Sequence, residues 1–433
     1  MKKTFLSIIA LLLCMSTMAQ YKPTEDNIKA REQFQNEKFG IFIHWGIYSM
    51  MGRGEWVMNN ENINYKEYQK IAAGFYPSKF NAEEWVDAIK ASGAKYITIT
   101  TRHHDGFSMF DSKTSDYNIV AATPFKRDVI KELADACHKE GINLHLYYSH
   151  LDWHRADYPL GRTGRKLGRP TDQQSWKSYQ KFMDDQLTEL LTNYGKVGAI
   201  WFDGYWDHDH DAKPFDWELS SQYALIHKLQ PQCLVADNHH LPPFAGEDVQ
   251  IFERDLPGEN KAGFSSQNGI SRLPLETCET MNDSWGYNIN DNDYKSSKEL
   301  IQLLVRAAGK NANLLLNIGP EPNGELPSRA VERLKEIGTW MNKYGETIYG
   351  TRGGIVAPHD WGVSTQKGDR LFIHILNLQD NALFIPLTGK KVTKATVFAN
   401  GKAVKYSTTT GGVVLNLPET PKDIDYVVEL KIK

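Results

Sequence analysis

Short apolar runs, each closing on a polar or charged residue, recur through the middle of the chain. They read FGIFIHW (39–45), YITITTRH (96–103), NLHLYYSH (143–150), AIWFDG (199–204), CLVADN (233–238), VQIFER (249–254), a weaker LPLETC (273–278) and NLLLNIG (313–319). Near-continuous apolar stretches of this length suit strands covered on both faces. Two intervening segments, DVIKELADACHKEG (128–141) and SWKSYQKFMDDQLTELLTNYG (175–195), carry apolar residues at helical spacing and close on glycine. Strands alternating with helices imply parallel βαβ units, and about eight of them over roughly 300 residues predict a (β/α)8-like TIM barrel. No GxGxxG follows an early strand, which speaks against an open dinucleotide-binding sheet.

After Gly350 the pattern changes. RLFIHILNL, ALFIPLTG, KATVFANGKAVKYS, GGVVLNLP and YVVELKIK are short β-like runs separated by Gly, Asn, Asp and Thr. They predict a C-terminal antiparallel β-sandwich over 351–433, behind a barrel over 21–350. ANGKAV reads as a hairpin turn. At the other end, residues 1–20 have the order of a secretory signal peptide: Lys2 and Lys3, an apolar stretch from Phe5 to Cys14, then Thr17-Met18-Ala19. This predicts export across an inner membrane to the periplasm. Lipid attachment at Cys14 is the weaker alternative, because Leu13 is bulky for such a site. The apolar stretch is too short for a good membrane span, and no later segment approaches one.

Composition narrows the partners. A net charge of -3 without a basic stripe argues against nucleic acid. Cys137, Cys233 and Cys278 show no CxxC spacing, so they predict small buried residues rather than a disulfide framework or zinc cluster. Eleven Trp and twenty Tyr suit stacking on sugar rings as well as core packing.

The chemistry lies where the strands end. His44, His103 and His104, Tyr148 and His150, Asp203, Asp237 and Asn238, Glu253, Glu276 and Asn317 stand there in order. In a (β/α)8 barrel such positions gather on one rim, where active sites of the fold form. Asp203, pushed out behind Ala199-Ile200-Trp201-Phe202 and followed by Gly204, is thus expected to face a pocket rather than cap a helix. DHDHD (207–211) tempts a metal assignment, but alternating residues on a loop do not preorganise a coordination shell, and HExxH is absent. No metal and no cofactor are expected. Two carboxylates among histidines and aromatics fit glycoside hydrolysis: one attacks the anomeric carbon, the other protonates the leaving oxygen. A metal-dependent barrel hydrolase using His44, His103, His104 and Asp203 is the alternative from the same residues.

KFGIFIHWGIYSMMGRGEWVMN (38–59), TTRHHDGFSMFDSKTSDYNI (100–119), IWFDG (200–204), SWGYN (284–288) and NLLLNIGPEPNGELP (313–327) together resemble the glycoside hydrolase family 29 α-L-fucosidases. The resemblance implies a (β/α)8-like barrel with a C-terminal β-sandwich and retaining exo-hydrolysis of terminal α-L-fucose from fucosylated oligosaccharides or glycoconjugates, without metal or cofactor. It also implies that Asp203 is the nucleophile, and that His44, Glu55, Trp56, His103, His104, Tyr148, Trp201 and Trp285 belong to the sugar site. For the acid/base it nominates Glu253 in FERDLPG first and Glu276 in LETC second, with Glu55 a third candidate. One departure stands out: where the family often shows Asn-Asp-Arg, this chain reads ADNHH. Asn238 is expected in place of the arginine, with His239 beside it, and an altered glycone preference is the alternative this raises.

Overall fold

Eight parallel strands follow one another around a single sheet: β1 Phe39–Ile43, β2 Tyr96–Arg102, β3 Asn143–Ser149, β4 Ala199–Asp203, β5 Leu234–Asp237, β6 Gln250–Glu253, β7 Leu275–Thr280 and β8 Ala312–Ile318. β1 lies between β2 and β8, so first and last strands meet. Between β5 and β6 the ladder thins to a parallel bridge, Ala236 to Val249, with Asp248 N donating to Val235 O. The computed structural model describes residues 21–264, 269–378 and 380–433; the expected signal peptide, 1–20, lies outside the described residues.

Helices Ala82–Ala91, Val129–Glu140, Trp176–Asn193, Leu219–Leu229, Ser297–Gly309 and Ser328–Tyr344 surround the sheet. Among the described residues no helix follows β5 or β6; loops carry the chain there, and they build one wall of the site. Four of these helices start behind a side chain that accepts from a free backbone amide; Asp128 accepts from Lys131 N, and Ser296 with Glu299 forms a capping box.

Side-chain alternation divides each strand between two cores. Ile41, Ile97, Leu144, Leu146, Ile200, Phe202, Val235, Leu314 and Leu316 face the helices, whereas Phe42, Tyr96, Tyr147, Trp201, Leu234, Ala236, Ile251 and Leu315 fill the barrel. A Cβ on Gly40 would stand 2.3 Å from the Tyr96 ring, so only glycine leaves room for that ring inside. The helix Glu25–Glu37 plugs the lower end: Phe34 packs on Tyr96 and His145, and its carbonyl accepts from Asn313 Nδ2.

The C-terminal strands are β9 Arg352–Gly353, β10 Gly362–Lys367, β11 Arg370–Ile375, β12 Ala382–Pro386, β13 Val392–Val397, β14 Lys405–Thr409, β15 Gly412–Asn416 and β16 Tyr426–Ile432. They form a five-stranded sheet ordered β13-β16-β11-β10-β9 and a three-stranded sheet ordered β12-β15-β14, all antiparallel, around Ile373, Ile385, Leu415 and Val428. ANGKAV makes the hairpin its sequence predicts, with Val397 N donating to Lys402 O. The sandwich rests on the helix Ser297–Gly309, whose Gln302 Nε2 donates to Leu376 O and Ile424 O.

Candidate active site

A cavity of about 600 Å³ opens at the C-terminal ends of the barrel strands. Alternation decides what reaches it. Trp201 and Asp203 on β4 point inward with Ile200 and Phe202 outward, and the β3 residue paired with Trp201 is Tyr147. Tyr147 therefore lines the cavity, and Tyr148 does not. The Tyr148 hydroxyl donates to Gln186 Oε1 on the helix Trp176–Asn193, and the Arg102 guanidinium lies over its ring. Tyr148, expected at the sugar site, thus lies outside the cavity, and its neighbour Tyr147 stands there instead. His150 and Asp237 are likewise turned toward the helix layer, where they bond to Gln222 and Tyr223. A register shift between Thr100 and Arg102 changes the alternation at the end of β2. Arg102 is thereby buried beneath the helices, while His103 and His104 both line the cavity.

Asp203 stands at the cavity floor. Its Oδ2 accepts from Tyr147 Oη at 3.0 Å; its Oδ1 accepts from Trp206 Nε1 at 3.0 Å and Gly204 N at 2.8 Å. The short helix Tyr205–His208 brings Trp206 round, and it starts from Gly204 at φ +99, a conformation that favours glycine. His104 Nε2 lies 3.5 Å from Asp203 Oδ2. Burial, reinforced by the negative charge of Glu253, pushes the Asp203 carboxyl up to about 6.

Glu253, the last residue of β6, faces the same space. Its Oε2 accepts from Asn238 Nδ2 at 2.8 Å and is bonded to His240 Nε2 at 3.0 Å. The Asn238 amide nitrogen also lies 3.5 Å from Asp203 Oδ1. One amide thus bridges the two carboxylates, and their bridged oxygens are no farther apart than those two distances summed. Asn238 is at the cavity, as expected, but His239 is not the residue that assists it: His239 bonds to Glu247, and His240 reaches Glu253. Burial alone would raise the Glu253 carboxyl. The hydrogen bond and charge of His240, the Asn238 amide and Arg254 outweigh it and hold the group below its usual range.

Glu276 is inside the barrel but below the cavity. Its oxygens accept from Tyr96 Oη at 2.6 Å and Trp201 Nε1 at 2.9 Å, so it holds the floor under the tryptophan and does not line the site. Glu55 lines the cavity with Oε2 accepting from Gly286 N at 2.7 Å, which ties its loop to the one carrying Trp285. Trp56, Trp201 and Trp285 supply aromatic walls. The His44 ring donates from Nδ1 to Asn317 Oδ1 at 2.7 Å, while Asn317 Nδ2 donates to Trp285 O. That fixes the tautomer and leaves Nε2 as an acceptor. Burial lowers His44 to about 4 and holds His103 and His104 well below the ordinary histidine range, so all three are neutral near pH 7.

Tyr147, Trp206, His240 and Phe264 are cavity residues that the sequence reading did not single out. Tyr147 could have been found by applying strand alternation from Trp201 and Asp203; Phe264, on a loop, carries no such signal. DHDHD is divided between core and solvent, with Asp209, His210 and Asp211 exposed. Asp207 is buried, accepting from Tyr158 Oη and Thr163, and His208 stacks on Phe215.

The family model described as alpha-L-fucosidase matches residues 10–346. A putative alpha-L-fucosidase of Caenorhabditis elegans is 30% identical over 80% of this chain and 72% of its own. Among solved structures, alpha-L-fucosidase isoenzyme 1 from Paenibacillus thiaminolyticus superposes with a TM-score of 0.82 at 35% identity, covering 94% of this chain and 100% of its own. An alpha-L-fucosidase from Bacteroides thetaiotaomicron, trapped as a covalent intermediate with 2-fluoro-fucosyl fluoride, gives 0.81 at 28% identity over 94% and 96%. With this barrel, this sandwich and this extent of similarity, the chain belongs to the alpha-L-fucosidase family of glycoside hydrolases.

Proposed function

We propose that the protein is a retaining exo-α-L-fucosidase that removes terminal α-L-fucose from glycans by double displacement. Asp203 attacks the anomeric carbon as the leaving oxygen takes a proton from Glu253. Water, deprotonated by Glu253, then cleaves the fucosyl–Asp203 ester. The observation that carries this reading is the single Asn238 amide touching both carboxylates. Both carboxylates therefore border one space, where a single anomeric centre can meet each of them. Tyr147, Trp206 and the Gly204 amide stabilise Asp203 as an anion and leave it oriented. His44, Glu55, Trp56, His103, His104, Trp201 and Trp285 surround the space for the sugar; neutral imidazoles there accept hydrogen bonds from hydroxyls without opposing the charge that develops at the anomeric centre. The covalent intermediate trapped in the Bacteroides relative, using a Glu-to-Gln mutant of that protein, is the outcome expected of this chemistry. Replacing Asp203 by Gly tests it. Hydrolysis of an aryl α-L-fucoside is lost, and azide restores turnover with a β-fucosyl azide product; an α product, which needs two displacements, would put the covalent intermediate on another residue and remove Asp203 as the nucleophile.

A further inference from the structure

We propose that His240 and Glu253 hold one proton between them, resting on His240 in the open site and passing to Glu253 when the sugar next to fucose covers the pair. The inference rests on the assignment of Glu253 as acid/base and adds His240 as its positioning residue and proton partner. A general acid must carry a proton when substrate is bound, yet Glu253 Oε2 is engaged by two donors in the open cavity. An imidazolium beside a carboxylate is the form that this arrangement favours while water still reaches it, and both side chains remain 15% exposed.

Phe264 supplies the means of covering them. It lines the cavity, is 44% exposed, and stacks on the His240 ring at 5.7 Å and 28°. The leaving sugar must stand beside Glu253, because its oxygen takes the acid proton, and the adjacent apolar surface is Phe264 with Leu241. A sugar stacked there removes water from the ion pair. Desolvation penalises the two charged forms and not the two neutral ones, so the proton crosses from His240 Nε2 to Glu253 Oε2. Net charge is unchanged. Rotation of the carboxyl, whose terminal torsion is broad, turns the O–H to the leaving oxygen. In the second step Glu253 takes a proton from water, and departure of the products returns it to His240. The charged and titratable groups around the pair are Asp203, Asp209, Glu55, Arg254, His44, His239 and, beside Glu253 on β7, the buried Cys278. Asp203 and Asp209 reinforce the cation on His240, and Arg254 the anion on Glu253.

His240→Gln keeps an amide donor toward Glu253 but carries no transferable proton. Its kcat/KM on a fucosyl disaccharide falls at least about 30-fold, within the range of lost acid catalysis, and on a dinitrophenyl fucoside, which leaves unaided, less than about threefold. The basic limb of its pH profile on the disaccharide moves acidward by about one unit or more, because a carboxylic acid alone holds the proton. Phe264→Ala raises KM for the disaccharide, and an unchanged KM would overturn the part given to the covering sugar. Equal losses on both substrates, or an unshifted pH profile, in His240→Gln would overturn the shared proton. Glu253→Gln, measured alongside, separates the two levels. If it alone loses disaccharide turnover, only the role of His240 fails; if it retains turnover, the acid/base assignment fails and the inference with it.

Discussion

The Tyr147 hydroxyl donates to Asp203 Oδ2 at 3.0 Å, while its neighbour Tyr148 donates away from the site to Gln186. Adjacent residues of one strand thus serve different cores, and substitution should separate them. Tyr147→Phe removes a charge-assisted hydrogen bond worth about 1.5–3 kcal/mol, lowering kcat/KM about 10- to 100-fold with little change in Tm. Tyr148→Phe leaves kcat/KM within about threefold and costs about 1 kcal/mol of stability, read by denaturant unfolding.

Glu253 and Glu276 are distinguished by what each touches. Glu253→Ala should slow fucosyl disaccharides by about 100-fold or more and activated aryl fucosides far less. Glu276→Ala strands the buried Tyr96 hydroxyl and Trp201 indole N–H, so it lowers Tm and slows every substrate alike, without leaving-group discrimination.

Activity should fall on the acid side as Asp203 is protonated. Its carboxyl is raised by burial and by Glu253 to about 6, and only the anion attacks. The acidic limb of kcat/KM for a dinitrophenyl fucoside is therefore expected near pH 6, well above an ordinary aspartate. In Glu253→Gln the neighbouring charge is gone and that limb moves to lower pH.

Lys38 is fully buried, and its ammonium nitrogen has no hydrogen-bond partner among the described residues. Burial lowers it to about 7. An unfolded lysine keeps its proton to about pH 10.4. Between these values the unfolded chain binds the extra proton, so stability rises with pH; below about 7 the folded protein bears the buried charge in full. Lys38→Met should stabilise the fold, by about 2 kcal/mol more at pH 6 than at pH 9, measured by urea unfolding at both.

The barrel was legible because buried parallel strands are apolar on both faces and end abruptly in polar residues; all eight runs became strands. The same strand ends placed His44, Asp203, Asn238 and Glu253 at one cavity. What misled was depth and direction. Tyr148, His150 and Asp237 also stand at strand ends, but alternation turns them to the helices. Glu276 faces inward one layer too low. His240 and Phe264 lie on the loops that replace helices after β5 and β6, and loop residues have no periodicity from which to infer where they point.

Double displacement requires a covalent bond between Asp203 and the sugar. Incubation with 2-fluoro-fucosyl fluoride, followed by proteolysis and peptide mass mapping, tests it at the atom concerned. One fluorofucosyl adduct is expected, carried by Asp203 in the peptide containing IWFDG and absent from Asp203→Asn. An adduct on another carboxylate, or inactivation with no covalent label, would contradict it.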